Sequence, residues 1–233
     1  MLKVERVETL GWEAAIRGMR NPKNSWDKTD SNFGCGEDSC PLEGVELGAN
    51  DLKLAKTLAD AGQVHGKFLR MIVVTMDITA PLYWWKEYDT YKVGTVANSC
   101  STMHKIHAKE FTIDDFSHEH LIPYADAEPC SCVDVQYEGA TFWPLDVLEQ
   151  TVKMLNKARE MYLATNDKKY WWQMIQLLPS SYNQKRTVML NYAVCKNIYE
   201  YRHAHKLDEW HVLCDAIAKL PYAKELIIGG TPT

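Results

Sequence analysis

Residues 69 to 85, LRMIVVTMDITAPLYWW, decide how the rest of the chain is read. Ile72, Val74, Met76 and Ile78 alternate with Val73, Thr75 and Asp77, and a period of two puts one set on each face of a strand. The pattern predicts a strand over 69–79, ended by Pro81, which has no N–H to give to a ladder. The aromatic run Tyr83, Trp84, Trp85 and Tyr88, with Tyr91 behind it, has two readings. It either stacks on a planar ligand ring or packs as core or subunit interface.

Working outward, Lys3 to Thr9 alternates as a short strand and Trp12 to Met19 reads as a helix. RNPKNSWDKTDSNFGCGEDSCPLEG follows, a stretch of turn-forming residues that predicts a mobile loop over 20–49 able to cover a site. Asn50 is placed to cap a helix over 51–61. Downstream of the tryptophans a helix is expected to loosen at Gly94, and 107–139 reads as irregular. Leu148, Val152, Leu155 and Tyr162 fall at helical spacing within 145–164, and a shorter helix over 170–178 stops at Pro179. A long helix is expected over 186–211 and a last one over 211–220. Helices with few strands make the fold α+β, in a single domain over 1–233.

The net charge of −5 gives no broad basic surface, so nucleic acid is not an expected partner. No window of 18 apolar residues is present, so no membrane span is expected. The opening MLKVERVETLGWEAAIRGMR lacks the layout of a secretory signal, and a cytoplasmic protein is the expectation. Seven cysteines, an odd number, argue against a disulfide framework. Cys35, Cys40, Cys130 and Cys132 could pool into a zinc site, but their spacings suit one poorly, and no metal is assigned.

Two segments carry candidate chemistry. Asn191, Cys195, Ile198, Arg202 and His205 step by 4, 3, 4 and 3, which places them on one helix face. An amide, a guanidinium and an imidazole then stand where a structural stripe would be apolar. Arg202 could hold carbonyl or phosphate oxygens with its fork of donors, or pair with Asp208 on a solvated face. The second segment, Thr95 to Ser101, gathers small hydrogen-bonding side chains after Gly94 without the spacing of a Walker loop.

Taken together, these pieces resemble the flavin-dependent thymidylate synthases (ThyX), whose strand and turn lead into an RHRxxSxNExSxRY-type signature. In YKVGTVANSCSTMH, read with one residue inserted, Lys92 falls on the second Arg, Thr95 on the first Ser, Asn98 on the Asn and Ser101 on the second Ser. LLPSS followed by LNYAVCKNIYEYR is similar to the family's Leu-Pro turn and helix, with Asn191 and Arg202 at the family's interval. His65 falls where the family has a histidine near its flavin. The departures are Thr90 and Tyr91 for the first Arg and the His, Met103 and His104 for the closing Arg-Tyr, and Glu87 for a Gln.

The resemblance implies a small, twisted, mainly antiparallel sheet packed with long helices. It implies FAD as cofactor, methylenetetrahydrofolate and NADPH as co-substrates, and reductive methylation of dUMP to dTMP in a homotetramer with shared sites. It implies Arg202 and Thr95 as catalytic residues, and Glu87, Ser99, Ser101 and Lys185 beside Arg202 on the nucleotide. His65, Lys92, Asn98, Asn191, Asn197, His205 and Lys206 would face the cofactor. The altered signature leaves open a related enzyme acting on another pyrimidine nucleotide, or a non-catalytic binding homologue.

Overall fold

The structure, a computed structural model, describes residues 2–33, 45–123, 134–137 and 139–229. It is α+β, as the sequence predicts. The chain forms two compact units, one built from 2–78, 89–98 and 186–233 and the other from 79–88 and 99–185. Cys35, Cys40, Cys130 and Cys132, whose spacings suit a zinc site poorly, lie outside the described residues. Among the described residues, no helix is long and apolar enough to cross a membrane.

The first unit is organised by a four-stranded sheet in the order β1 (Lys3–Leu10), β2 (Val73–Pro81), β6 (Asn183–Asn191), β3 (Val96–Ser99). The unit boundary falls inside β2, β3 and β6. Alternation holds over the first half of β2, where Val74 and Met76 are fully buried while Val73 and Thr75 are half-exposed; Asp77 and Ile78 are then both buried. The strand starts four residues later than predicted, because Gly66–Arg70 coils into a 3-10 turn that buries Phe68 and Leu69. Asp77, on the other face, accepts a 2.6 Å hydrogen bond from Thr187 Oγ1 and so ties β2 to β6.

The sequence reading is corrected most sharply at β6. Residues 183–191 form a strand, not the start of a long helix, and α6 (Tyr192–Arg202) and α7 (Asp208–Ala218) follow as two separate helices. Gln184, Val188 and Leu190 are the buried positions, a period of two that holds only in part and is hidden by the helical period behind it. Residues 203–207 break the helix, so His205 does not continue the face that carries Cys195 and Ile198. Both of these are fully buried, so that face is core.

α1 (Trp12–Arg20) and α2 (Ala49–Asp60) complete this side with a five-residue π-helical turn at Lys224–Ile228. Trp12 meets Tyr192 edge-to-face at 5.1 Å, and the Tyr192 hydroxyl donates to the Pro221 carbonyl at 2.7 Å. Asn50 is not the cap of α2. That role falls to the Asp30 carboxylate, which accepts from the backbone N–H groups of Asn50 (2.9 Å) and Asp51 (3.0 Å). The early part of the predicted loop is thereby built: Asn21–Lys23 and Trp26–Lys28 are 3-10 turns, and Asn32 bridges Glu46.

The second unit packs α4 (Pro144–Thr165) against α5 (Lys168–Leu177) around Phe111, Phe116, Leu155 and Met174. A two-stranded antiparallel ribbon, β4 (Val135–Tyr137) with β5 (Ala140–Phe142), precedes α4. Three members of the aromatic run resolve as core: in α3 (Leu82–Tyr88), Trp84, Trp85 and Tyr88 are all buried, with Trp84 stacked on Tyr88 at 5.2 Å, while Tyr83 and Tyr91 are half-buried. Trp85 Nε1 donates to the Gln184 carbonyl at 2.9 Å, which gives the buried indole its partner.

Candidate functional site

A cavity of about 680 Å³ opens in the first unit, and all of its lining residues belong to that unit. One wall is the end of α2 and the turn after it, with Asp60, Gln63 and Arg70. The second is Thr90 to Gly94, and the third is the start of α6 with Asn191, Lys196, Asn197 and Glu200. The volume lies in the range of small-molecule and cofactor sites.

Local chemistry explains the second and third walls. Asn191 has extended backbone (φ −131°, ψ 168°) and caps α6, its Oδ1 accepting from the Val194 amide at 3.1 Å. A strand therefore hands over to a helix at a residue that still faces the cavity. Residues 90–94 fold back on themselves: the Lys92 amide donates to the Thr90 carbonyl at 3.0 Å, and Thr95 Oγ1 donates to the Tyr91 carbonyl. Gly94 sits at φ +78°, and a Cβ there would lie 2.9 Å from Asn191 Nδ2 and 3.3 Å from Val194 Cγ2. Gly94→Ala is therefore expected to cost about 2 kcal/mol, from left-handed strain plus a disturbed cap. It should also weaken ligand uptake, and paired thermal melts and titrations check both effects. Unchanged melting would show that the turn relaxes freely.

The cavity unites three of the predicted cofactor residues, Lys92, Asn191 and Asn197. His65 is exposed in the turn between two lining residues, Gln63 and Gly66. Arg202, the last residue of α6, is not a lining residue. Its Nε donates to the Tyr91 hydroxyl at 3.0 Å, and its guanidinium lies 4.6 Å from the Trp210 ring centroid. Tyr91 is a lining residue, so Arg202 stands one hydrogen bond away from the lining.

The other predicted residues stand apart from the lining. Thr95 turns its hydroxyl to the Tyr91 backbone, and Asn98 is exposed on β3. His205 Nδ1 accepts from the Leu207 amide at 3.2 Å, and Lys206 is exposed. Glu87, Ser99, Ser101 and Lys185 belong to the second unit. There the Ser101 Oγ accepts from the His104 amide at 2.9 Å, and the Lys185 carbonyl accepts from the Cys100 amide at 2.9 Å.

The cysteines of α6 and α7 are not poised as nucleophiles. Burial pushes the Cys195 thiol far up, and burial with the Asp215 charge pushes Cys214 up to about 12. Sequence reasoning passed over Arg70 and Lys196. Lys196 looks like one half of an (i, i+4) surface pair with Glu200, yet its Nζ donates to the Ala59 carbonyl at 2.9 Å.

No family model and no curated protein matches the sequence. Solved structures do. The chain is similar to thymidylate synthase X of Helicobacter pylori with FAD and dUMP, at 16% identity over 100% of both chains and a TM-score of 0.65. A second structure of the Helicobacter pylori flavin-dependent thymidylate synthase, complexed with FAD and dUMP, gives 15% identity over 99% of this chain and 100% of that one, with a TM-score of 0.64. A UMP/dUMP methylase, PolB from Streptomyces cacaoi bound with 5-Br dUMP, gives 13% identity over 99% of this chain and 96% of that one, with a TM-score of 0.56. The chain has the fold of the flavin-dependent thymidylate synthases.

Proposed function

We propose that this protein is a flavin-dependent enzyme acting on a pyrimidine nucleotide, with reductive methylation of dUMP to dTMP as its reaction. The observation that carries the reading is the meeting of Lys92, Asn191 and Asn197 in one cavity of about 680 Å³, on a fold shared with proteins solved with FAD and dUMP. The residues present fit the cofactor. Amides suit the edge of a flavin ring, and Lys92 suits phosphate oxygens, as a point charge without the bidentate fork of an arginine. The flavin, when bound, would relay hydride from NADPH to the one-carbon unit that methylenetetrahydrofolate gives to the uracil ring.

In this reading the chain's own groups position and polarise. Arg202, held by Tyr91 and Trp210, would face the pyrimidine carbonyls and favour negative charge on the ring. His65 would approach the flavin from the turn before β2. Thr95, Ser99, Ser101, Glu87 and Lys185 would serve the nucleotide, and Asn98, His205 and Lys206 the cofactor. We propose further that the protein acts in the cytoplasm as a homotetramer with shared sites.

A second reading, the same chemistry on another pyrimidine nucleotide, is favoured by Tyr91, whose phenol engages the guanidinium that would read the base. Titration of the purified protein with FAD, then with dUMP and UMP, tests both. Flavin uptake followed by saturable dUMP binding is the expected result. Uptake with a preference for UMP supports the second reading, and no flavin uptake refutes both. Growth of a thymidine-requiring strain on the cloned gene tests turnover.

A further inference from the structure

The cavity described above holds two cations that neither the sequence reading nor the resemblance assigned. Arg70 ends the turn Gly66–Arg70, is exposed, and has no hydrogen bond or ion pair among the described residues. Lys196 is half-buried on α6, and its only partner among the described residues is the Ala59 carbonyl at 2.9 Å. That carbonyl belongs to the last turn of α2, where C=O groups have no intrahelical partner. Lys196 thus caps α2 with one of its three N–H donors, leaving two for another acceptor.

The charge balance of the cavity points the same way. Arg70, Lys92 and Lys196 line it against Asp60 and Glu200, and Asp60 is already engaged by Lys56 at 2.8 Å. This excess of positive charge arises in a chain whose net charge is −5, so the bulk composition does not explain it. Thr90, at the position the ThyX signature fills with its first arginine, lines the same cavity. The guanidinium missing from one wall is present on another.

We propose that Arg70 and Lys196 form an anion seat for phosphate oxygens, the diphosphate of a dinucleotide above all, and that Arg70 takes over from the signature arginine replaced by Thr90. The proposal rests on the flavin reading for its natural occupant but not for its chemistry. Arg70 approaches from the turn and Lys196 from α6, so an anion between them bridges the two walls. Binding there would be charge-assisted and weakened by salt.

The test measures Kd for FAD, for riboflavin, which lacks phosphate, and for inorganic diphosphate. It compares the full-length protein with Arg70→Gln, Lys196→Gln, Arg70→Lys and the double change Arg70→Gln with Thr90→Arg. Each glutamine variant is expected to weaken FAD about 10- to 100-fold while riboflavin changes less than about threefold, the loss of one charge-assisted contact. Arg70→Lys should recover part of that loss, and Thr90→Arg should restore most of it in the Arg70→Gln background. Circular dichroism confirms that the variants fold. FAD binding that both glutamine variants leave unchanged overturns the seat while sparing the flavin reading. Diphosphate binding that Arg70→Gln weakens, in a protein that takes up no flavin, keeps the seat and removes the flavin reading. A wild type that binds neither overturns both.

Discussion

Asp51→Asn is expected to lower the free energy of unfolding by about 3–5 kcal/mol, the cost of removing one partner from a buried ion pair. Asp51 is fully buried in the first turn of α2, and Arg20, 3% exposed, donates its Nε to Oδ1 at 2.6 Å. Oδ2 accepts from Thr29 Oγ1 and Ser31 Oγ, both at 2.7 Å, and from the amides of Asp30 and Ser31, both at 3.1 Å. Five donors converge on two oxygens. An asparagine turns one of those oxygens into a donor facing donors, and leaves a buried guanidinium uncompensated. Arg20 Nη1 keeps only neutral acceptors, the Ser25 carbonyl at 3.2 Å and hydroxyl at 3.4 Å, and Nη2 has no hydrogen bond, so without Asp51 no anion among these contacts balances the guanidinium.

The same network sets a pH dependence. Burial alone would raise the Asp51 carboxyl, but the bonds from Ser31, Thr29, Arg20 and the Asp30 amide outweigh it and hold the group below its ordinary value. A depressed carboxyl contributes stability that is present above its unfolded-state pKa and lost as the pH falls through the lower, folded value. Urea midpoints at pH 7 and pH 3 should therefore differ more in the wild type than in Asp51→Asn. Equal pH responses in the two proteins would show that Asp51 contributes nothing to acid unfolding.

What could be read from the sequence follows from which signals are local. The alternation through Ile72–Met76 survives in β2 because each position faces either core or the other side of one sheet, and Pro81 closes the strand without tertiary help. α4 and α5 were legible from apolar spacing for the same reason. β6 was not, because its strand identity comes from lying between β2 and β3, both far earlier in the chain, and strand propensity depends strongly on such context. The Asn191-to-Arg202 interval was legible, yet the face it implied was wrong. Asn191 is a cap rather than a mid-helix residue, and the α6 residues at the cavity are Ala193, Val194, Lys196, Asn197 and Glu200. Arg70 carried no signal, since a lone cation at the end of a short turn reads as solvent-facing until the cavity beside it is seen.

Arg202→Ala is expected to weaken nucleotide binding about 100-fold, the loss of a guanidinium making more than one charge-assisted contact, while flavin affinity changes less than about threefold. Two aromatic rings brace the side chain. Its guanidinium lies 4.6 Å from the centroid of the fully buried Trp210 ring and 5.8 Å from that of Tyr91, and Nε is bonded to the Tyr91 hydroxyl. Tyr91→Phe keeps the ring and removes only the acceptor, so it should weaken nucleotide binding about fivefold, the scale of one hydrogen bond. Because Tyr91 acts through Arg202, the double variant should bind no more weakly than Arg202→Ala alone. Multiplying losses would instead mean that Tyr91 touches the nucleotide directly. A third pattern would end the assignment: nucleotide affinity unchanged in Arg202→Ala, with the melting temperature falling sharply, would make the guanidinium a brace between α6 and Trp210 and nothing more.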